Sequence, residues 1–188
     1  MTKAKVREKY RGLSRQELID KAYELGSNYE MKSQSCSQST VKAIHELLDI
    51  DDLVVKVATS ACGGSDLQVL GTCGGLAGGT IVLDYFFGRP AEKMSHEEEI
   101  KANLEALKAA FDGPTSLANK FWKEYGTIHC ANIQRQLFGR FFYVLDPEEL
   151  RKLDKAEAHS NPEKCGHIVG NAARWVMEIL LDKGAVEL

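Results

Sequence analysis

Five cysteines are the residues of this chain whose side chains could build a reactive site: Cys36, Cys62, Cys73, Cys130 and Cys165. The sequence holds no Cys-x-x-Cys pair, which argues against zinc ribbons, thioredoxin-type motifs and ordinary ferredoxin runs. It also lacks Cys-x-x-Cys-His, so covalent haem attachment is not predicted. A site shared by these cysteines must therefore be assembled by the tertiary fold from distant segments.

Four of the cysteines are predicted to open a helix. They are Cys36, Cys73, Cys130 and Cys165. Unpaired N–H groups and the positive end of the helix dipole stabilise a thiolate at that position, and the thiolate is the form that binds metals. We therefore predict that these four share a metal site, with buried core cysteines as the alternative interpretation. Cys62 has no clear helix start behind it, and it is either an additional redox thiol or a core residue.

The elements that must position these cysteines are predicted to be helices, so the expected fold is all-α. Residues 1–188 are expected to form a single-domain multi-helix bundle with a glycine-rich cysteine loop, and residues 1–13 a flexible N-terminal arm. Ser14 with Glu17 forms a capping box, Ser95 with Glu98 a second one, and Asp146-Pro147 a further helix start. Apolar spacing predicts helices over 14–32, 36–49, 75–87, 115–125, 130–138 and 165–182. No stretch has a convincing strand pattern.

Residues 61–79 are rich in glycine, with seven glycines in nineteen residues. Glycine reaches positive φ without strain and lets the backbone approach another group closely. The start of the helix over 75–87 is therefore expected to be thin, inviting contact with another helix or a cofactor. The candidate cofactor-binding glycines are Gly63, Gly64, Gly74, Gly75 and Gly78. They do not match the phosphate-binding Gly-x-x-x-x-Gly-Lys pattern, so nucleotide binding is not predicted.

Around Cys73 the chain resembles the redox-active protein family with four separated cysteines and a Cys-Gly-Ala-x-x-Gly motif, the C_GCAxxG_C_C family. Here Gly75 stands in place of the motif alanine, and Gly63-Gly64 resembles the glycine pair that precedes the motif. The resemblance covers roughly residues 20–180 and aligns the four helix-start cysteines with the family's four, leaving Cys62 as an extra. It implies redox activity and leans toward a [2Fe–2S] cluster. The family is also similar to a region of split-Soret cytochromes, but their haem does not transfer to this chain.

The composition limits the remaining functions. The 188 residues include 24 basic and 27 acidic side chains, a net charge of −3 that gives no field for nucleic acid or anionic lipid. The most apolar stretch, 80–87, is too short to span a bilayer, and no signal peptide pattern precedes it. We expect a cytoplasmic protein, where cysteines more often serve metal binding or redox chemistry than structural cross-links.

Other candidate side chains have simpler explanations. His129 precedes Cys130, and His167 follows Cys165 by two residues. Either histidine could tune a cluster or serve as a ligand, but the interpretation as exposed or capping histidines is preferred. We expect His45, His96 and His159 to be solvated. The aromatic residues of 138–143 predict core packing or a homodimer contact rather than a cofactor pocket.

The leading hypothesis is electron transfer or redox sensing by a cysteine-ligated iron–sulfur cluster. Three alternatives stay open: a metal-free thiol oxidoreductase, with Cys62–Cys73 as one conceivable pair, a structural zinc module, and a helical protein with unpaired buried cysteines. No set of base, nucleophile and orienting group can be assembled from the sequence. A redox partner protein is expected but is not identified by any residue.

Overall fold

A computed structural model describes residues 2–97 and 99–188 of the chain. Within those residues the fold is all-α, as predicted, with one parallel pair of two-residue strands, β1 (Ala4–Lys5) and β2 (Val186–Glu187). The helices are α1 Arg15–Ser33, α2 Cys36–Leu47, α3 Asp52–Val57, α4 Gly74–Phe87, α5 Ile100–Ala110, α6 Asp112–Tyr125, α7 Cys130–Phe138, α8 Pro147–Lys155 and α9 Cys165–Asp182. Met1, in the expected arm, and Glu98, the expected capping partner of Ser95, lie outside the described residues.

Local capping explains where the first and eighth helices begin. The Ser14 hydroxyl accepts a hydrogen bond from the Glu17 N–H, and the Glu17 carboxylate accepts one from the Ser14 N–H at 2.8 Å. Asp146 caps α8 by accepting from two backbone N–H groups, with Pro147 as the first helical residue. Such side chains satisfy N–H groups that have no partner inside the helix. Both predicted helix starts are confirmed.

The core is organised around α9, which packs along α1 and also against α2, α4 and α6. Its buried face includes Ile168, Ala172, Val176 and Ile179, the apolar stripe expected from the sequence. Phe86 and Phe121 bring the largest fully buried side chains from α4 and α6 into the same core. Four helices therefore converge on one central helix, which fixes their starts relative to one another.

Glycine in α4 allows this helix to lie directly against α2. A Cβ on Gly78 would be 2.3 Å from the Ser37 carbonyl oxygen, and a Cβ on Gly74 would be 2.2 Å from the Cys36 sulfur. Neither contact leaves room for a side chain, because real Cβ atoms essentially never approach within 3.0 Å. The thin helix start expected from the sequence is thus used for helix packing and for approach to a cysteine.

The N-terminal segment is packed where the structure describes it, which differs from the flexible arm expected over 1–13. Ala4, Val6 and Tyr10 are buried, and Val6 forms an isolated bridge with Leu48. The Arg7 side chain donates to the backbone oxygens of His45 and Leu48. Pairing with the other end of the chain supplies contacts that local sequence patterns do not indicate.

A second, smaller core lies beside the start of α9. Phe142, Leu153 and Ala158 form it, and Cys165 packs against its edge. It joins α8 and the segment before it to the main bundle, so that this region covers one side of the cysteine helix starts. Among the described residues, no helix combines the length and apolar character needed to cross a membrane.

Candidate functional site

The four cysteines expected at helix starts occupy those positions. Cys36, Cys130 and Cys165 are the first residues of α2, α7 and α9, and Cys73 is the N-cap residue of α4. Cys62 follows a short 3-10 turn, Thr59–Ala61, and starts the glycine-rich loop. The four helices therefore direct their N-terminal ends, where the dipole is positive, toward the cysteine side chains.

All five cysteines line a single cavity of about 220 Å³. Cys73 is buried and the other four are partly buried. The rest of the wall is mostly aliphatic, built from Leu67, Val69, Ile133, Val144, Leu150, Leu153, Ile168 and Val169. One largely apolar cavity thus receives sulfur atoms from distant parts of the chain. The first and last of these cysteines, Cys36 and Cys165, are 129 residues apart.

A short backbone connection brings Cys73 and Cys130 together. Thr72 and His129, the residues before them, form an antiparallel bridge. The Cys73 N–H donates to the Ile128 oxygen at 2.8 Å, and the Cys130 N–H donates to the Gly71 oxygen at 3.0 Å. The starts of α4 and α7 are consequently held side by side independently of any bound group.

The glycine-rich loop places Cys62 beside Cys36. The Gly63 N–H donates a hydrogen bond to the Cys36 sulfur over 3.5 Å. Gly63 and Gly64 have positive φ, and so do Ser65, Asp66 and Leu67 after them. A left-handed stretch that includes non-glycine residues is strained by roughly 1–2 kcal/mol for each of them. The backbone is held in this conformation over the cavity wall.

Burial raises the pKa of the cavity thiols. The pKa of Cys73 is raised to about 12 and that of Cys130 to about 11, because removal from water disfavours the thiolate. The pKa values of Cys36 and Cys165 are likewise raised, chiefly by burial and then by the Glu30 charge. Hydrogen bonds from the Gly75 and Leu76 N–H groups lower the pKa of Cys73, the effect expected at a helix start, but burial outweighs them.

Glu30 is a cavity residue that sequence analysis missed. Its side chain is 0% exposed, its Oε1 lies 2.7 Å from Nδ1 of His159, and its Oε2 has no hydrogen-bond partner among the described residues. His159, expected to be solvated, also lines the cavity. Residues 18, 22, 26 and 30 of α1 are all buried, so the helical spacing of four contained the signal that Glu30 faces inward.

Within the described residues, neither the cysteines nor the side chains beside them form a compact single-ion site. Among residues 2–97 and 99–188, no three His, Cys, Asp or Glu side chains are grouped as ligands of one metal ion.

A family comparison matches residues 34–179 to the model of the family described as "Putative redox-active protein (C_GCAxxG_C_C)". The matched segment includes all five cysteines and most of the chain. The chain belongs to this family. No curated protein and no solved structure matches it.

The family match confirms the resemblance drawn from the cysteine pattern, and it supports redox activity at the family level. Glu30 lies before the matched residues, so the family motif does not include it. Gly75, which replaces the motif alanine, is directed toward α9: a Cβ there would lie 3.3 Å from the Ala172 Cβ. An alanine at this position in the family is therefore compatible with the packing seen in this member.

The candidate glycines are divided between the cavity and helix packing. Gly63 lines the cavity, and Gly74 lies against Cys36 and the Cα of Cys62. Gly64 instead approaches the Val69 backbone, while Gly75 and Gly78 approach α9 and α2. The structure thus brings two of the five predicted glycines to the cysteines and gives the other three a packing role.

The two histidines beside the later cysteines lie outside the cavity wall. His129 is exposed and serves as the N-cap residue of α7. Both ring nitrogens of His167 have partners, with Nδ1 at 2.8 Å from the Tyr23 hydroxyl and Nε2 at 3.0 Å from the Asn171 amide nitrogen. Of the histidines expected to be solvated, His96 is exposed, whereas His45 is buried and contacts Asp52.

Proposed function

We propose that the four helix-start cysteines of this redox-family member hold an iron–sulfur cluster of the [2Fe–2S] type, for electron transfer or redox sensing. These residues are Cys36, Cys73, Cys130 and Cys165. The observation that carries the proposal is that four separate helices begin at these residues and direct them into one cavity. The donor set supports it, because thiolates are the ordinary ligands of iron–sulfur clusters.

The first question is whether the cavity could stabilise the negative charge of a cysteine-ligated cluster. Four thiolates around iron carry net negative charge, and the buried Glu30 carboxylate adjoins the same space. Four helix N-termini oppose that charge, each by roughly 0.3–1 kcal/mol. Hydrogen bonds from Gly63 to Cys36 and from the Gln134 amide to Cys130 add donors to individual sulfurs. These donors and helix N-termini support the proposal, because they would offset part of the negative charge of a bound cluster.

The raised pKa values of the Cys73 and Cys130 thiols favour a metal over metal-free thiol chemistry at these two positions. A thiol must lose its proton to attack a disulfide, and thiols with pKa values of about 11 and 12 are almost fully protonated at neutral pH. A bound metal displaces such protons directly, because its binding free energy is spent in part on deprotonating the ligands. Buried, protonated thiols such as those of Cys73 and Cys130 are consistent with metal ligands.

The cavity wall would set how the cluster behaves. When bound, the cluster would supply reversible one-electron transfer. The aliphatic side chains of Val69, Ile133 and Ile168 exclude water from the sulfurs, and hydrogen bonds to sulfur are among the groups that tune a cluster's reduction potential. The chain's own contribution is thus to bind the cluster, limit solvent access and fix its hydrogen bonds.

Anaerobic purification followed by absorption spectroscopy and metal analysis tests the proposal. We expect a brown protein with visible charge-transfer absorption and equal amounts of iron and acid-labile sulfide. A colourless protein that carries one equivalent of zinc would identify the structural zinc alternative instead. A protein that binds neither metal, even after reconstitution with ferrous iron and sulfide under reducing conditions, would overturn the proposal.

A further inference from the structure

Cys36 and Cys62 lie together at one edge of the cavity, although the family pattern includes only the first of them. A Cβ built on Gly74 would be 2.2 Å from the Cys36 sulfur and 3.1 Å from the Cys62 Cα. The Cys36 sulfur and the Cys62 Cα are therefore separated by no more than the sum of these two distances. The N–H of Gly63, the residue after Cys62, independently contacts the Cys36 sulfur at 3.5 Å.

The position of Cys62 and its loop would allow a disulfide to form with Cys36. Disulfides join residues whose Cα atoms are roughly 4.4–6.8 Å apart, a range that requires such close neighbours. Cys62 is partly buried and precedes a loop in which Ser65 and Leu67 are exposed. That loop holds several non-glycine residues at positive φ, a strained conformation.

We propose that Cys36 and Cys62 form a reversible disulfide, and that the oxidant is a low-molecular-weight disulfide of the glutathione type. The pairing rests on the geometry of the cysteines. Its consequence, the removal of one cluster ligand, rests on the function proposed above. Cys62 is then a regulatory thiol next to the ligand set and is not itself a ligand.

The reaction is a two-step exchange that balances within the protein and its oxidant. The Cys62 sulfur attacks one sulfur of the small disulfide, and its thiol proton leaves with the first small thiol. A mixed disulfide on Cys62 results. The Cys36 sulfur then attacks the Cys62 sulfur and releases the second small thiol with the second proton. Two protein thiols lose two electrons in total, and one small disulfide is reduced to two thiols.

Cys73 is the competing partner for Cys62, because it adjoins Gly74 and was the pair considered from the sequence. It is buried, and its N–H donates to Ile128 in the connection that holds α4 beside α7. The Gly75 and Leu76 N–H groups are directed at its sulfur. No described hydrogen bond links it to the Cys62 loop, whereas Cys36 has one. The geometry therefore favours Cys36.

Disulfide mapping of the metal-free, full-length protein tests the pairing. The reduced protein is incubated with glutathione disulfide, its free thiols are blocked with N-ethylmaleimide, and it is digested with trypsin and an Asp-specific protease. Cleavage at Asp66 separates Cys62 from Cys73, which share one tryptic peptide. We expect the loss of two of the five thiols and a linked peptide pair containing Cys36 and Cys62. A link from Cys62 to Cys73 or Cys130, or no link to Cys62, would overturn the inference.

Variants connect the disulfide to the cluster. Cys62→Ser and Cys62→Ala should form no Cys36-containing disulfide. With the reconstituted protein, glutathione disulfide should release iron at least threefold more slowly from Cys62→Ser. Equal release rates would contradict the regulatory role. If the unaltered chain never binds iron, the cluster proposal fails, while the peptide map still decides the pairing.

Discussion

Substitution of Gly78 by alanine is expected to separate α2 from α4 and to disturb the cysteine cavity. The added Cβ would lie 2.3 Å from the Ser37 carbonyl oxygen, whereas ordinary contact begins at 3.4 Å. The helices must then move apart by roughly 1 Å, and overpacking of this kind typically destabilises by about 1–3 kcal/mol. Alanine regains at most about 1 kcal/mol of helix propensity. The net loss of up to about 2 kcal/mol corresponds to a Tm lower by up to roughly 8 °C for a chain of this size.

Gly75→Ala is the matched control for this experiment, because it makes the same change in the same helix. Its Cβ would lie 3.3 Å from the Ala172 methyl group, a contact that small adjustments relieve. The variant should melt at or slightly above the Tm of the unaltered chain, since helix propensity is gained without a large clash. Circular dichroism melts of both variants, with iron content measured in parallel, make the comparison. Equal Tm values would refute the claim that close α2–α4 contact is required.

Three further outcomes follow from burial and backbone geometry. His159→Ala should destabilise the protein by about 1–3 kcal/mol in urea titrations, because it leaves the buried Glu30 side chain without its described hydrogen-bond partner. The free energy of unfolding of the reduced, metal-free protein should fall as the pH rises from 9 to 11. The fall is up to roughly 1.4 kcal/mol per pH unit for each thiol. It arises because Cys73 and Cys130 keep their protons in the folded protein over this pH range, whereas the unfolded chain releases them. Ser65→Gly should stabilise the chain by about 0.5–1 kcal/mol, because Ser65 is exposed with φ +68°.

Each of these outcomes has its own control. The double variant Glu30→Met/His159→Ala should recover much of the loss, and an equally unstable double variant would show that the Glu30–His159 contact is not the cause. In Cys73→Ser the decline of stability above pH 9 should be shallower, because serine does not titrate there. A lower Tm in Ser65→Gly would mean that the Ser65 hydroxyl stabilises the folded chain by more than the backbone strain at this position destabilises it.

The helices of this protein were largely predictable because their signals are local. The Ser14–Glu17 capping box and the Asp146-Pro147 start are sequence patterns that act within one turn. The placement of four cysteines at helix starts followed from the same kind of pattern. The N-terminal segment was different, since pairing of β1 with β2 depends on the distant end of the chain.

The positions of the cysteines at helix starts were predictable from the sequence, and the surroundings of the candidate site only partly. Residue type and position identified the cysteines, but Glu30 was missed because a single acidic residue in a polar helix is usually solvated. The direction of the thiol pKa shift was also missed. Helix N-termini favour thiolates, but burial against the apolar cavity wall raises the thiol pKa by more than the helix N-termini lower it. That wall includes Ile133 and Leu153, which come from separate segments and are brought together only by the tertiary fold.

The most direct test of the account is the iron and acid-labile sulfide content of five single Cys→Ser variants reconstituted in parallel. The account predicts that substitution at any of the four helix-start cysteines lowers both contents severalfold, while Cys62→Ser retains the content of the unaltered chain. Full retention in variants of Cys73 and Cys130, whose helix starts are joined by backbone hydrogen bonds, would contradict a cluster held in this cavity.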